Sequence, residues 1–160
     1  MTAQEYAALV KAELKDSWLP NIYRERIRRS RTRAYHFESL PDKPRVEIQH
    51  SLLGVELKTG RKRLLCPDLA TARYLSVFAR AGCEHVAVPY DITKISQLAD
   101  ELESSWHRML LLAQHHAAKT TEAFRNKVGR VLVEMIQREV AEAGAGESMP
   151  EFRQSTRQRQ

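Results

Sequence analysis

"RVEIQHSLLGVELKTGRKRLLCPDLATARYLSVF", residues 45 to 78, contains the change of period that decides the fold. In "RVEIQH" (45–50), Val46 and Ile48 alternate with Arg45, Glu47 and Gln49; in "GVELK" (54–58), Val55 and Leu57 alternate with Glu56 and Lys58. A period of two puts alternate side chains on opposite faces, which predicts half-buried strands. Thr59-Gly60 leads into a third strand, "RKRLLC" (61–66), because glycine adopts the positive φ that a tight hairpin needs. The spacing therefore predicts an antiparallel meander with one wet and one dry face. At Pro67-Asp68 the period becomes helical, with Asp68 as N-cap and Leu69, Ala72, Leu75, Phe78 and Ala79 on the buried side. Gly82 is the expected helix stop.

On the N-terminal side, residues 3–18 place Tyr6, Leu9, Val10, Leu14 and Trp18 on one helical stripe. After Pro20, a second helix is predicted from about Asn21 to Arg33, with a thin apolar face of Ile22, Tyr23 and Ile27. "SLPDKPR" (39–45) reads as a turn-rich connector, since two prolines within four residues forbid a helix. On the C-terminal side, "HVAVP" (85–89) predicts another strand of the same sheet. Asp91 or Thr93 then caps a long helix over about 94–118, carrying Ile95, Leu98, Leu102, Trp106, Met109 and Ala113. A last helix, roughly 121–142, carries Phe124, Val128, Leu132, Ile136 and Val140, and the two long helices are expected to pair as a hairpin. Gly129 inside it implies a close helix crossing or a dimer contact.

The class that follows is α+β: N-terminal helices, a small, mostly antiparallel sheet of three or four strands, and two long C-terminal helices. Residues 1–143 read as one domain and 144–160, rich in Gly, Ser, Gln and Arg, as a flexible basic tail. Hydrophobic residues make up 42% and charged residues 29% of the 160, enough apolar content for a packed core. Two cysteines, Cys66 and Cys83, are too few for a disulfide framework and read as free buried thiols. The N-terminus has no apolar signal-like core, and no apolar run approaches the about 20 residues of a membrane span. A cytoplasmic protein without membrane attachment is the expectation.

Charge carries the functional signal. The net charge is +6, the pI near 9.5, which favours an acidic partner. One cluster is "RERIRRSRTR" (24–33), where a helix would put Arg24, Arg28 and Arg31 on one side and Arg29 and Arg33 near a second. Tyr35, His36 and Phe37 follow as stacking surfaces for unpaired bases. The other cluster is the hairpin tip, with Lys58, Arg61, Lys62 and Arg63. Arginine suits phosphate because its planar guanidinium binds two oxygens at once. Against this, Asp100, Glu101, Glu103 and Glu122 are available to neutralise the arginines internally.

Glu56-Leu57-Lys58 also spells E-x-K, the half-motif with which metal-dependent nucleases hold a cation and orient water, with Asp42 or Glu47 as a second carboxylate. The order of elements resembles the restriction-endonuclease-like core, but there the motif lies on the third strand, where this chain has the carboxylate-free "RKRLLC". A cross-strand charge pair explains the same residues. The six histidines give no ligand spacing: His115 and His116 point about 100° apart on a helix. No glycine-rich phosphate loop or nucleophile elbow is present, so no catalytic residue, metal or cofactor is assigned.

"RLLCPDLATARYLSVFARAG" with "VAVPYDIT" (63–93), and "LADELESSWHRMLLL" (98–112), resemble an uncharacterised cyanobacterial protein family. The resemblance implies a bacterial, cytosolic, single-domain protein and no activity. The expected function is non-catalytic binding of an anionic partner, RNA or DNA backbone, through both basic clusters. The alternatives are a protein–protein adaptor or assembly protein, dimeric through the C-terminal helices, and the E-x-K nuclease.

Overall fold

A computed structural model describes residues 1–38, 40 and 45–148. The chain runs α1 (Ala3–Leu14), a 3₁₀ turn (Lys15–Ser17), α2 (Leu19–Ile22) continuing into a π-turn (Tyr23–Ile27), and β1 (Thr32–His36). It continues through β2 (Val46–Ser51), β3 (Gly54–Thr59), β4 (Lys62–Cys66), α3 (Leu69–Arg80) and β5 (His85–Pro89). The two long helices α4 (Ile95–His116) and α5 (Glu122–Ala143) follow, and then a two-residue β6 (Glu147–Ser148). The class is α+β.

The meander forms as its alternation predicts: β2, β3 and β4 pair antiparallel in sequence order. Thr59 faces Lys62 across a two-residue turn in which Gly60 takes φ +63°. Leu57 and Thr59 are buried on the inner face, while Glu47, Lys58 and Arg63 share the outer one. Asp68 caps α3, its carboxylate accepting from the Thr71 N–H at 2.7 Å. The far end closes as a Schellman motif: the Cys83 N–H donates to the Phe78 carbonyl and the Gly82 N–H to that of Ala79, with Gly82 at φ +75°. α3 joins the halves of the molecule, packing on α4 and on the inner face of β2 and β3.

Sequence periodicity and structure part company between Arg28 and His36. The expected helix to Arg33 ends with the π-turn, and the Ser30 N–H closes a turn on the Ile27 carbonyl. Thr32–His36 is instead a strand, antiparallel to β5, with Ala34 opposite Ala87 and His36 opposite His85. The five-residue β5, buried from Val86 to Pro89, needs a partner for its backbone groups, and that pairing overrides local helix propensity. β5 therefore does not extend the meander; the strands form two sheets, β2-β3-β4 and β5-β1-β6.

The C-terminal end differs as well. Residues 144–148 stay on the body: β6 pairs parallel with β1, Arg33 opposite Glu147 and Ala34 opposite Ser148. The Tyr23 hydroxyl donates to the Gly144 carbonyl at 2.6 Å. Residues 144–148 are the first of the expected 144–160 tail; residues 149–160, including Arg153, Arg157 and Arg159, lie outside the described residues. So does most of the 39–45 connector.

One core runs through all of this, with Trp18, Tyr23, Tyr74 and Phe78 its largest fully buried side chains. α1 lies against both α4 and α5. Thr121 caps α5 through its hydroxyl on the Phe124 N–H. Both thiols are free and buried, and burial pushes Cys83 up to about 12. Among the described residues no helix is long and apolar enough to cross a membrane.

Candidate nucleic-acid interface

The first basic cluster is mostly consumed by the fold. Arg24 reaches inward, its guanidinium donating to Asn21 Oδ1 at 2.6 Å and to Glu139 Oε1 at 3.0 Å. Glu139 is a buried carboxylate on α5 that also accepts from Lys11 Nζ at 3.0 Å and from Trp18 Nε1 at 3.1 Å. Burial pushes its pKa up, but the hydrogen bonds from Lys11, Trp18 and Arg24 outweigh that and hold it below the ordinary value. Arg28 serves the C-terminus of α5, donating from Nε to the Ala143 carbonyl at 2.9 Å and from Nη1 to Thr32 Oγ1 at 3.2 Å. A cation there satisfies an orphan carbonyl and complements the helix dipole.

The rest of that cluster is dispersed. Arg29 is exposed and pairs with Glu25 one helical turn back at 3.0 Å. Arg31 lies beyond the helix with its guanidinium 4.7 Å from the Tyr90 ring centroid. Arg33 sits on β1 between Val88 and Glu147. The basic helix sides expected from the spacing do not form, because the helix ends at Ile27, before the last four arginines of the run. Of the acids expected to neutralise the run, Glu101 does hold Arg26, whereas Asp100 and Glu103 hold Arg73 of α3 instead. Glu139 falls on the same helical stripe as Val128, Leu132 and Ile136, a charged residue at a buried position that the sequence reading missed.

The second cluster keeps its charge on the surface. Arg61, Lys62 and Arg63 are all exposed at the β3–β4 turn. Lys58 stands opposite both Glu47 and Arg63 on the outer face, and Glu56 pairs with Arg63 at 3.4 Å. The E-x-K residues are thus set in a cross-strand charge ladder. Among the described residues no three His, Cys, Asp or Glu side chains gather where they could hold a metal ion; Asp42 lies outside those residues.

The tertiary structure brings the aromatic triplet to the hairpin cations instead of to the arginine helix. A cleft of about 390 Å³ separates the end of β1 from the meander, with Tyr35, His36, Phe37 and Glu38 on one wall and Lys62 and Arg63 on the other. Phe37 is core, and Tyr35 packs edge-on against it at 4.9 Å between centroids. His36 is exposed and stacks on the equally exposed His85, with centroids 4.4 Å apart and planes inclined at 29°. Sequence reading missed this pair because it depends on β1 being a strand in register with β5.

A second, larger groove of about 830 Å³ runs between α4 and α5, with Leu110, Gly129, Arg130 and Glu134 among its walls. A Cβ on Gly129 would meet nothing within 4 Å. The glycine therefore serves no close crossing among the described residues. Comparison with known proteins adds no relative: no protein-family profile, curated protein or solved structure matches this chain.

Proposed function

We propose that this protein is a non-catalytic binding module for the phosphate backbone of nucleic acid, and that the β3–β4 hairpin tip makes the contacts. The observation that carries the reading is the contrast between the clusters. Arg24 and Arg28 are spent on Glu139 and on the C-terminus of α5, whereas Arg61, Lys62 and Arg63 stand exposed on a tight turn beside an open cleft. Three adjacent cations on a rigid turn can displace counterions from neighbouring phosphates, which is the main source of sequence-independent affinity.

The test is fluorescence anisotropy with labelled oligonucleotides across a salt series, on the wild type and on Arg61→Ala/Lys62→Ala/Arg63→Ala. Binding is expected to fall with salt. Losing up to three phosphate contacts should make the log–log salt slope shallower by about 2 for single strands, with affinity at low salt at least about tenfold weaker. All three side chains are exposed and, among the described residues, only Arg63 gives up an ion pair, with Glu56, so thermal unfolding should fall only slightly. A variant that binds as the wild type does, with the same slope, would sink the assignment.

One observation favours the assembly reading, namely the groove between α4 and α5 with open space over Gly129. A second copy docked there would give a dimer by light scattering, weakened by Gly129→Leu. A monomer at every concentration removes that alternative.

A further inference from the structure

We infer that the cleft between β1 and the meander selects unpaired nucleic acid over duplex, with a base stacking on the exposed His36–His85 pair while Lys62 and Arg63 meet the flanking phosphates. This rests on the phosphate-binding reading above and adds the class of ligand. The hairpin cations alone would bind any polyanion, since phosphate contacts carry no information about pairing. The imidazoles change that. Two rings stacked at 4.4 Å and both open to solvent form a short aromatic platform. A base can lie on such a platform only when its face is free; in a duplex both faces are covered by neighbouring bases.

The cleft beside His36 has room for one nucleotide, while His85 stands next to His36 on β5, outside the cleft lining. At about 390 Å³ the cleft falls at the small end of the roughly 300–1,000 Å³ usual for ligand sites. Leu57 and Leu64 lie on the meander wall with Lys62 and Arg63, across the cleft from Tyr35 and His36 of β1. Glu38 is the one acid lining it among the described residues, and it repels phosphate from the β1 wall toward the cations. Burial pushes the Tyr35 phenol up, with Cys66 and Glu38 acting the same way, so the Tyr35 ring stays neutral.

The experiment compares labelled oligouridine RNA, oligothymidine DNA and a blunt DNA duplex of equal length on the full chain, using His36→Ser and His36→Phe. Position 36 is exposed on a strand, so both variants should fold, which circular-dichroism melting verifies. The wild type should prefer both single strands to the duplex by about tenfold or more, the size of one base–aromatic stack. His36→Ser should lose that preference while keeping the duplex affinity and salt slope; His36→Phe should keep it. Equal wild-type affinity for single strands and duplex overturns the inference and leaves the hairpin reading standing, and so does an unchanged preference in His36→Ser. A wild type that binds none of the three at low salt overturns the hairpin reading itself.

Discussion

Glu139→Ala should destabilise the protein by about 3 kcal/mol, the low end of the roughly 3–5 kcal/mol found when one partner of a buried ion pair is removed. The carboxylate is 6% exposed and gathers Lys11 of α1, the indole N–H of Trp18 and Arg24 of the π-turn onto α5. Removal leaves the Trp18 Nε1 donor without its acceptor next to a fully buried ring and two cations without their counter-charge. Lys11 and Arg24 are 40% and 38% exposed and can turn to water, which keeps the cost from rising further. In a chain of this size the melting temperature should drop by on the order of 10 °C. Glu139→Gln retains an acceptor for Trp18 and should fall between the two.

The pH dependence of that effect has a definite sign. Glu139 has a folded pKa below its ordinary value of 4.5, so the folded state binds its proton less readily than the unfolded chain does. The stabilisation is complete above the unfolded value and is lost as pH falls through the folded pKa. The stability gap between wild type and Glu139→Gln should be widest near neutrality and narrow below about pH 4.5. Denaturant titrations at several pH values measure it; a gap independent of pH would show that the carboxylate charge contributes nothing.

The second large effect belongs to Tyr23. Its hydroxyl accepts from the Ala87 N–H at 2.9 Å and donates to the Gly144 carbonyl at 2.6 Å. The Ala87 carbonyl in turn accepts from the Tyr74 hydroxyl at 2.6 Å, so both backbone polar groups of this buried residue depend on tyrosines. Burial pushes the Tyr23 phenol up to about 12, which keeps the proton it donates. Tyr23→Phe preserves the edge-on packing with Phe78 at 5.5 Å and removes only the oxygen. Leaving a buried N–H and a carbonyl unpaired should cost about 1–3 kcal/mol. Amide exchange should accelerate most at Ala87, and the Gly144–Ser148 segment should loosen from β1. Unaltered protection at Ala87 would mean that water or a neighbour replaces the phenol.

Local physics was legible where one rule governed one segment. Alternation fixes which residues of β2, β3 and β4 face inward, the Asp68 side chain caps α3, and Gly82 ends α3 because it accepts a positive φ, whereas the cap expected for α4 from Asp91 or Thr93 instead closes the short 3₁₀ turn Ile92–Lys94. The hairpin tip was legible as a cationic turn for the same reason: a charged residue at a two-residue turn has nowhere to go but outward. The arginine run was not. Nothing local distinguishes Arg24, which turns in to a buried acid 115 positions away, from Arg29, which stays in water. Nor could the cleft be read, because Tyr35 and His36 reach it only if Thr32–His36 is a strand, and that follows from the presence of β5 some fifty residues later.

By itself the sequence determined the α+β class, the meander, the cap of α3, the free buried thiols and the exposed charge of the hairpin tip, all consequences of interactions between near neighbours. The tertiary structure alone decided that there are two sheets, that β1 is a strand, that Arg24 and Arg28 are structural, and that two histidines stack beside two cations. Those outcomes rest on buried hydrogen bonds and ion pairs between distant segments. Such contacts leave no periodicity in the chain, because a buried polar group is selected by its partner in space.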